Sequence, residues 1–311
     1  MNNTFVQPSK IDDAPRIIVI GDVHGDVERL LKMVKSIGLF SNSLEWIAEP
    51  KNTVVIQLGD QIDSLSRSVE EQNWESLPDV EVLALMDRLD WIAQSASGGA
   101  GRVLSLLGNH EIMNVLGIFE YVSLNSMNKL GGPNNRAALF SQGNQFAQIL
   151  ARRNIVSSIG PFLFCHGGIL PQHLDFVQCD FNKINVAMQK YLRGNEVLTP
   201  DEEFIIRDII FHNTTGIVWT RQYVDLLQNQ PHMLESVIDS VCMRSNTKVL
   251  FVGHNTMPEI TRVANGKLYF TDAGFSRAYS LHENYVEVIE IRKINNGEND
   301  LYNIETLRVF I

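Results

Sequence analysis

An α/β fold is what this chain predicts, and two observations predict it. Short aliphatic runs end again and again in glycine followed by a polar, metal-capable side chain, and amphipathic segments lie between them. Apolar runs bounded by glycine suit strands buried on both faces, and strands that alternate with helices stack into layers. In chain order, Arg16 to Ile20 runs into Gly21-Asp22-Val23-His24, and Val27 to Ile37 then carries Leu30, Leu31 and Val34 at helical spacing. Thr53 to Leu58 runs into Gly59-Asp60, and a second helical pattern covers Val80 to Ala93. The Ser95-to-Gly101 stretch reads as a flexible turn. It leads into Arg102 to Leu107, which ends in Gly108-Asn109-His110-Glu111. Helical spacing returns at Gln142 to Ala151, and three further strands are predicted. Pro161 to Phe164 precedes Cys165-His166-Gly167-Gly168, Lys248 to Val252 precedes Gly253-His254-Asn255, and Lys267 to Phe270 precedes Thr271-Asp272-Ala273-Gly274. Residues just past strand ends converge on one rim of a layered α/β fold. The polar ends are therefore expected to meet in space.

Composition narrows the function classes. An apolar fraction of 44% with 20% charged residues describes a globular chain able to build a sizeable core. A net charge of -10 argues against a generic nucleic-acid binder, which needs clustered Lys and Arg. A pocket holding two divalent cations would reverse that sign locally and still accept a phosphate. Cys165, Cys179 and Cys242 show no C-x-x-C spacing and are odd in number, which fits buried free thiols in a reducing compartment. Met1 to Pro15 is polar, with Asp12 and Asp13 where a signal peptide would be apolar. No stretch reaches the roughly 18 apolar residues of a membrane span. The expectation is a soluble, cytoplasmic protein with neither membrane nor nucleic-acid partner. No linker interrupts the motifs, so residues 1–311 read as one domain with a core of about 14–292. Oligomeric state has no signal in the sequence.

The strand ends carry the chemistry. Asp22 and His24 stand at i and i+2, so an extended backbone points both the same way and one cation can take a carboxylate and an imidazole. Gly21 and Gly25 suit a tight, closely approached loop. Asp60 offers two oxygens that could bridge cations about 3.5–4 Å apart. Asn109, His166 and His254 would complete a second ion. Mixed oxygen and nitrogen ligation suits Mn, Fe or Zn better than Mg or Ca, with Mn favoured. His110 is a candidate general acid for the leaving oxygen, and Asp63 is placed to orient its ring. Asp63 as a turn or cap residue is the plainer alternative. Arg221, in Val218-Trp219-Thr220-Arg221, could hold phosphate with its planar fork of donors, and Trp219 reads as packing.

Taken together, Gly21-Asp22-Val23-His24-Gly25, Gly59-Asp60-Gln61-Ile62-Asp63, Gly108-Asn109-His110-Glu111, His166-Gly167-Gly168 and Gly253-His254 resemble the signature of the calcineurin-like metallophosphoesterases. More narrowly they resemble the PPP-type serine/threonine protein phosphatases. Leu44 to Trp46, Gly108 to Leu116 with Tyr121-Val122-Ser123, Cys165 to Pro171, Val218 to Arg221 and Asp272 to Ser276 are similar to the Shewanella-like phosphatases. The resemblance implies two packed mixed β-sheets flanked by helices, a four-layer sandwich. It also implies direct attack on phosphorus by a hydroxide bridging two metal ions. Asp22 and His24 would bind the first ion, Asp60 would bridge, and Asn109, His166 and His254 would bind the second. His110 with Asp63 would supply the acid, and Arg221, Asn109 and His110 would contact phosphate. The implied substrate is a phosphoprotein or a phosphorylated small molecule.

One departure stands out. Where the family places Arg-Gly after the second Asp, this chain has Ser64-Leu65, and Arg67 is the replacement that a rearranged turn could offer. Two rival readings follow: hydrolysis of a nucleotide or dinucleoside polyphosphate, or a catalytically impaired phosphate-binding protein.

Overall fold

The computed structural model describes residues 6–67, 74–279, 281–295 and 300–311, so the first five residues of the polar N-terminal stretch lie outside it. Two mixed sheets form. The first runs β11 (Asp300–Phe310), β10 (Tyr285–Asn295), β2 (Arg16–Ile20), β3 (Val54–Gln57), β4 (Arg102–Ser105). The second runs β1 (Lys10–Ile11), β5 (Val156–Ile159), β6 (Phe162–Cys165), β7 (Val249–Val252), β9 (Leu268–Phe270), β8 (Thr261–Val263). Strands β2, β3 and β4 are mutually parallel, as are β6, β7 and β9. All six predicted strands are present, each within two residues of its expected ends.

Side chains alternate along the central strands, whose two faces are both buried, while the edge strands β8 and β11 are largely open. Ile17, Val19, Val54, Ile56 and Leu104 meet Phe162, Phe164, Phe251 and Tyr269 in a core between the sheets. On the outer face of the first sheet, Ile18, Ile20 and Val55 pack on Leu30 and Met33 of α1 (Val27–Ser36) and on Met86 and Leu89 of α2 (Glu81–Ser97). On the outer face of the second, Leu163, Leu250 and Val252 pack on Ile184 and Met188 of the helix Asn182–Arg193 and on Leu234 and Ile238 of the helix Pro231–Ser245. The result is the expected sandwich of helices, sheet, sheet and helices.

Three local outcomes differ from expectation. α2 extends through Ser97 because Ser95 and Ser97 return their hydroxyls to the carbonyls of Trp91 and Ala93 at 2.8 and 2.6 Å, and the helix stops at left-handed Gly98. β11 lies beyond residue 292 and pairs with β10 along its length, carrying the first sheet to its edge. All three cysteines are free as expected, but Cys179 is exposed whereas Cys165 and Cys242 are buried. Among the described residues no helix is long and apolar enough to cross a membrane.

Candidate metal centre

Parallel strands deliver their C-terminal ends to one place. Asp22 and His24 follow β2, Asp60 follows β3, and Asn109 and His110 open α3 (Asn109–Val115) behind β4. From the other sheet, His166 follows β6 and His254 follows β7. All seven are buried. Glycine permits this closeness: a Cβ on Gly108 would stand 2.2 Å from Asp60 Oδ1, and one on Gly253 would stand 2.3 Å from Asp22 Oδ1. Asp60, Asp63 and His254 hold left-handed backbones at φ 52, 69 and 64. Such strain costs about 1–3 kcal/mol each and persists where the surroundings enforce it. Glu111 provides part of that enforcement, its carboxylate accepting from the backbone N–H groups of Gly108, Asp60 and Gln61 at 2.7, 3.0 and 2.7 Å.

Two donor groups share Asp60. His24, Asp60 and His110 form one, and Asp60, His166 and His254 the other, with ligand atoms in each within 4.8 Å of one another. Asp60 Oδ2 lies 3.2 Å from His166 Nε2, 3.7 Å from His110 Nε2 and 4.0 Å from His24 Nε2. Backbone carbonyls fix the opposite ring nitrogens. His24 Nδ1 faces the Ile62 carbonyl oxygen at 3.1 Å and His254 Nε2 faces that of Trp219 at 3.1 Å. Holding the remote N–H in this way aims the other nitrogen at a cation. Asn109 Oδ1 lies 3.0 Å from His166 Nε2. Asp22 joins the same buried cluster: its carboxylate accepts the His254 backbone N–H at 3.0 Å and its Oδ1 lies 3.9 Å from His166 Nδ1, while His110 stands beside His24 and Asp60.

Electrostatics fit a divalent pair. Burial, then the neighbouring Asp272 and Asp60 charges, push Asp22 well above the usual carboxylate range, and burial also raises Asp272 and Glu111. Such a crowd of buried carboxylates calls for a cation. Burial likewise acts to raise Asp60, yet His166, His110 and His24 outweigh it and hold it well below that range. Burial, then His110, lowers His24 to about 3; burial, then His166, lowers His254 to about 3. Both rings are thus neutral, and the Tyr279 hydroxyl lies 3.0 Å from His24 Nε2. Burial opposes protonation of His110 and His166 too, but Asp60 overrides it and both are raised, His110 with the help of Asp63.

A cavity of about 360 Å³ opens over these groups, lined by Asp60, Asn109, His110, Arg67, Arg221 and His254, with Tyr121, Trp219, Thr256 and Tyr279 around them. Ser64 faces away from it: its hydroxyl is buried against Glu75, Ser123 and Ser126. Arg67 reaches the cavity instead. Its backbone N–H is tied to the Ala278 carbonyl at 2.7 Å, and its guanidinium lies 4.5 Å from the Tyr121 ring centroid and 5.6 Å from that of Tyr279. Asp63 Oδ2 is 2.7 Å from His110 Nδ1, and Arg221 donates to Asn255 Oδ1 at 3.0 Å. The sequence reading missed Glu111, Tyr121 and Tyr279. Glu three residues after the glycine that precedes α3 is a capping-box spacing and marks Glu111. Both tyrosines lie in irregular segments; Tyr121 stands in the Tyr121-Val122-Ser123 string without a marked role, and Tyr279 belongs to no motif.

Comparison with known proteins agrees with this geometry. The family model described as calcineurin-like phosphoesterase matches residues 15–258. Shewanella-like protein phosphatase 2 of Arabidopsis thaliana is 24% identical over 92% of this chain and 77% of its own length. Protein R398 of Acanthamoeba polyphaga mimivirus, described as uncharacterized, is 31% identical over 65% of this chain and 93% of its own. A solved cold-active protein-tyrosine phosphatase of a psychrophilic Shewanella species superposes with a TM-score of 0.73 at 18% identity, over 98% of this chain and 83% of that one.

Proposed function

The chain belongs to the calcineurin-like phosphoesterase family, and on that premise we propose that it is a phosphoprotein phosphatase acting through two divalent transition-metal ions. The observation that carries this reading is the pair of donor groups sharing Asp60 beneath a cavity lined by two arginines. In the proposal Asp22, His24, Asp60, Asn109, His166 and His254 hold the ions. Their nitrogen and oxygen mixture favours Mn, with Fe or Zn as alternatives. The ions, when bound, supply charge neutralisation for the phosphoryl oxygens and a nucleophilic water near neutral pH.

The chain's own residues do the rest. Arg221 and Arg67 grip the phosphoryl group from two sides of the cavity, with Asn109 and His110 beneath. His110, its Nδ1–H held by Asp63, donates the Nε2 proton to the departing ester oxygen. The free thiols suit work in a reducing compartment, and the chain acts as one catalytic domain. The missing arginine at Ser64 is answered by Arg67, which weighs against the impaired-enzyme reading.

The sequence resemblance favours phosphoserine and phosphothreonine. Phosphotyrosine is a second reading, favoured by the aromatic rim of Tyr121, Tyr279 and Trp219 and by the name of the Shewanella enzyme. The test is phosphate release by Mn-loaded protein from matched phosphoserine, phosphothreonine and phosphotyrosine peptides and from a dinucleoside polyphosphate. Turnover on peptides supports the proposal, and turnover on the nucleotide alone would overturn it.

A further inference from the structure

We propose that Arg136 is a positioning residue for proton donation by His110, acting through Asn114 and Asp63; the inference rests on His110 serving as the general acid. Arg136 lies in the helix Pro133–Phe140 and is fully buried. Its Nε donates to Asn114 Oδ1 at 2.6 Å, and its two terminal nitrogens grip Asp79 at 2.9 and 2.8 Å. The Nε bond fixes which way the Asn114 amide faces. With Oδ1 committed to Arg136, Nδ2 donates to Asp63 Oδ1 at 2.8 Å and to the His110 carbonyl at 2.9 Å. A flipped amide would set its oxygen against a carboxylate and a carbonyl. Asp63 Oδ1 is thereby occupied, with Arg136 Nη2 itself 3.4 Å from it, and Oδ2 is left for His110 Nδ1 at 2.7 Å.

The same guanidinium fixes the Asp63 backbone. Asp79 Oδ2 accepts the Asp63 N–H at 2.9 Å while Arg136 holds that carboxylate, which maintains the left-handed turn at Asp63. A core ion pair alone would need only the fork to Asp79. The Nε bond to Asn114 and the Nη2 approach to Asp63 add nothing to that pair, whereas together they align the carboxylate that orients the acid. In the step itself, water attacks phosphorus, the ester P–O bond breaks, and the leaving oxygen takes the His110 Nε2 proton while Nδ1–H stays with Asp63.

Leaving-group dependence separates alignment from mere support. A good leaving group departs without a proton and a poor one needs the acid, so turnover of Mn-loaded protein is measured on dinitrophenyl phosphate and on phenyl phosphate. His110→Asn is expected to lose roughly 100-fold on phenyl phosphate and far less on the dinitrophenyl ester. Arg136→Met combined with Asp79→Asn removes the ion pair as a unit, and it is expected to lose roughly tenfold on phenyl phosphate alone, with KM unchanged on both. Equal loss on both esters, or none, in a folded, metal-loaded double variant overturns the proposal. Arg136→Lys, which keeps the cation but cannot reproduce the Nε bond, carries the same test if the double variant does not fold. Absence of leaving-group selectivity in His110→Asn would instead remove the general acid itself, and the positioning role with it.

Discussion

His166 and Leu58 fix one face of the metal centre: the ring Nδ1 lies 2.8 Å from the Leu58 carbonyl oxygen, which can only accept, so Nε2 is turned to Asp60 at 3.2 Å. The same Asp60 raises the affinity of His166 for a proton against the effect of burial. Proton and cation therefore compete for Nε2, and the proton competes from above the ordinary histidine range. Mn affinity is expected to weaken as pH falls, beginning above the ordinary histidine range, with proton release on binding, because a ligand imidazole must be neutral. Titration calorimetry in buffers of different ionisation enthalpy measures both. A pH-independent affinity would remove His166 from the ligand set.

Asp60 is the carboxylate common to both donor groups, so one substitution should disturb both ions. In metal-stripped wild type, Mn at about a hundredfold over its dissociation constant should stabilise the fold by about 2.7 kcal/mol. Asp60→Asn should lose most of that rise in Tm together with turnover. Differential scanning calorimetry with and without Mn decides it, and an Asn variant that keeps the full increment contradicts a shared role.

Arg67 lines the cavity while Ser64 is buried away from it, so exchanging residues at the two positions should be asymmetric. Arg67→Ala should weaken inhibition by inorganic phosphate roughly tenfold or more, as expected for loss of a charged hydrogen bond of about 1.5–3 kcal/mol. Ser64→Arg should not improve the enzyme, since that side chain is buried among Glu75, Ser123 and Ser126 and a guanidinium there displaces them. Its melting temperature should fall. Phosphate inhibition constants and melting curves for the two variants are the check.

His173 gives a pH effect away from the centre. It is buried, its Nδ1 accepts the Leu170 N–H at 3.2 Å, and burial, then His212, lowers it to about 4. The unfolded chain takes up its proton first as pH falls. The stability that His173 contributes is therefore present above about pH 6.5 and is lost as pH falls toward 4, to an extent of order 3 kcal/mol. His173→Gln should cost stability at neutral pH, and its gap from wild type should narrow toward pH 5, read from urea midpoints. A constant gap would mean that the ring does not stay neutral.

The strand ends were legible because the period and the glycine punctuation are local: Ile20 to His24 and Leu58 to Asp60 show buried strand and polar end in a single glance. Arg136 was not legible. Its role depends on Asp79, Asn114 and Asp63 meeting across three elements, and a lone arginine in Pro133 to Phe140 has no spacing to betray that. Tyr279 was hidden in the same way, whereas Tyr121 stands in a motif string that does not show its place over the cavity. The β10–β11 pair is hidden for another reason: alternation in Tyr285 to Asn295 slips at Val288-Ile289 and at Arg292-Lys293, and the segment ends in no polar motif. Asp22 illustrates the limit of spacing in another way: i and i+2 pair it with His24, but nothing local shows that its carboxylate also accepts the His254 N–H across the sheet boundary.

The three anchors of the Ser64-to-Arg67 turn, at Glu75, Tyr121 and Ala278, have a consequence for how such enzymes are classified. An alignment column at residue 64 would record a lost arginine and file the chain among pseudoenzymes. The charge is still in the cavity, carried three positions along by a turn that swallows the serine and presents Arg67 between two rings. Cations in such sites are therefore better counted by where their side chains arrive in space than by their position in the sequence.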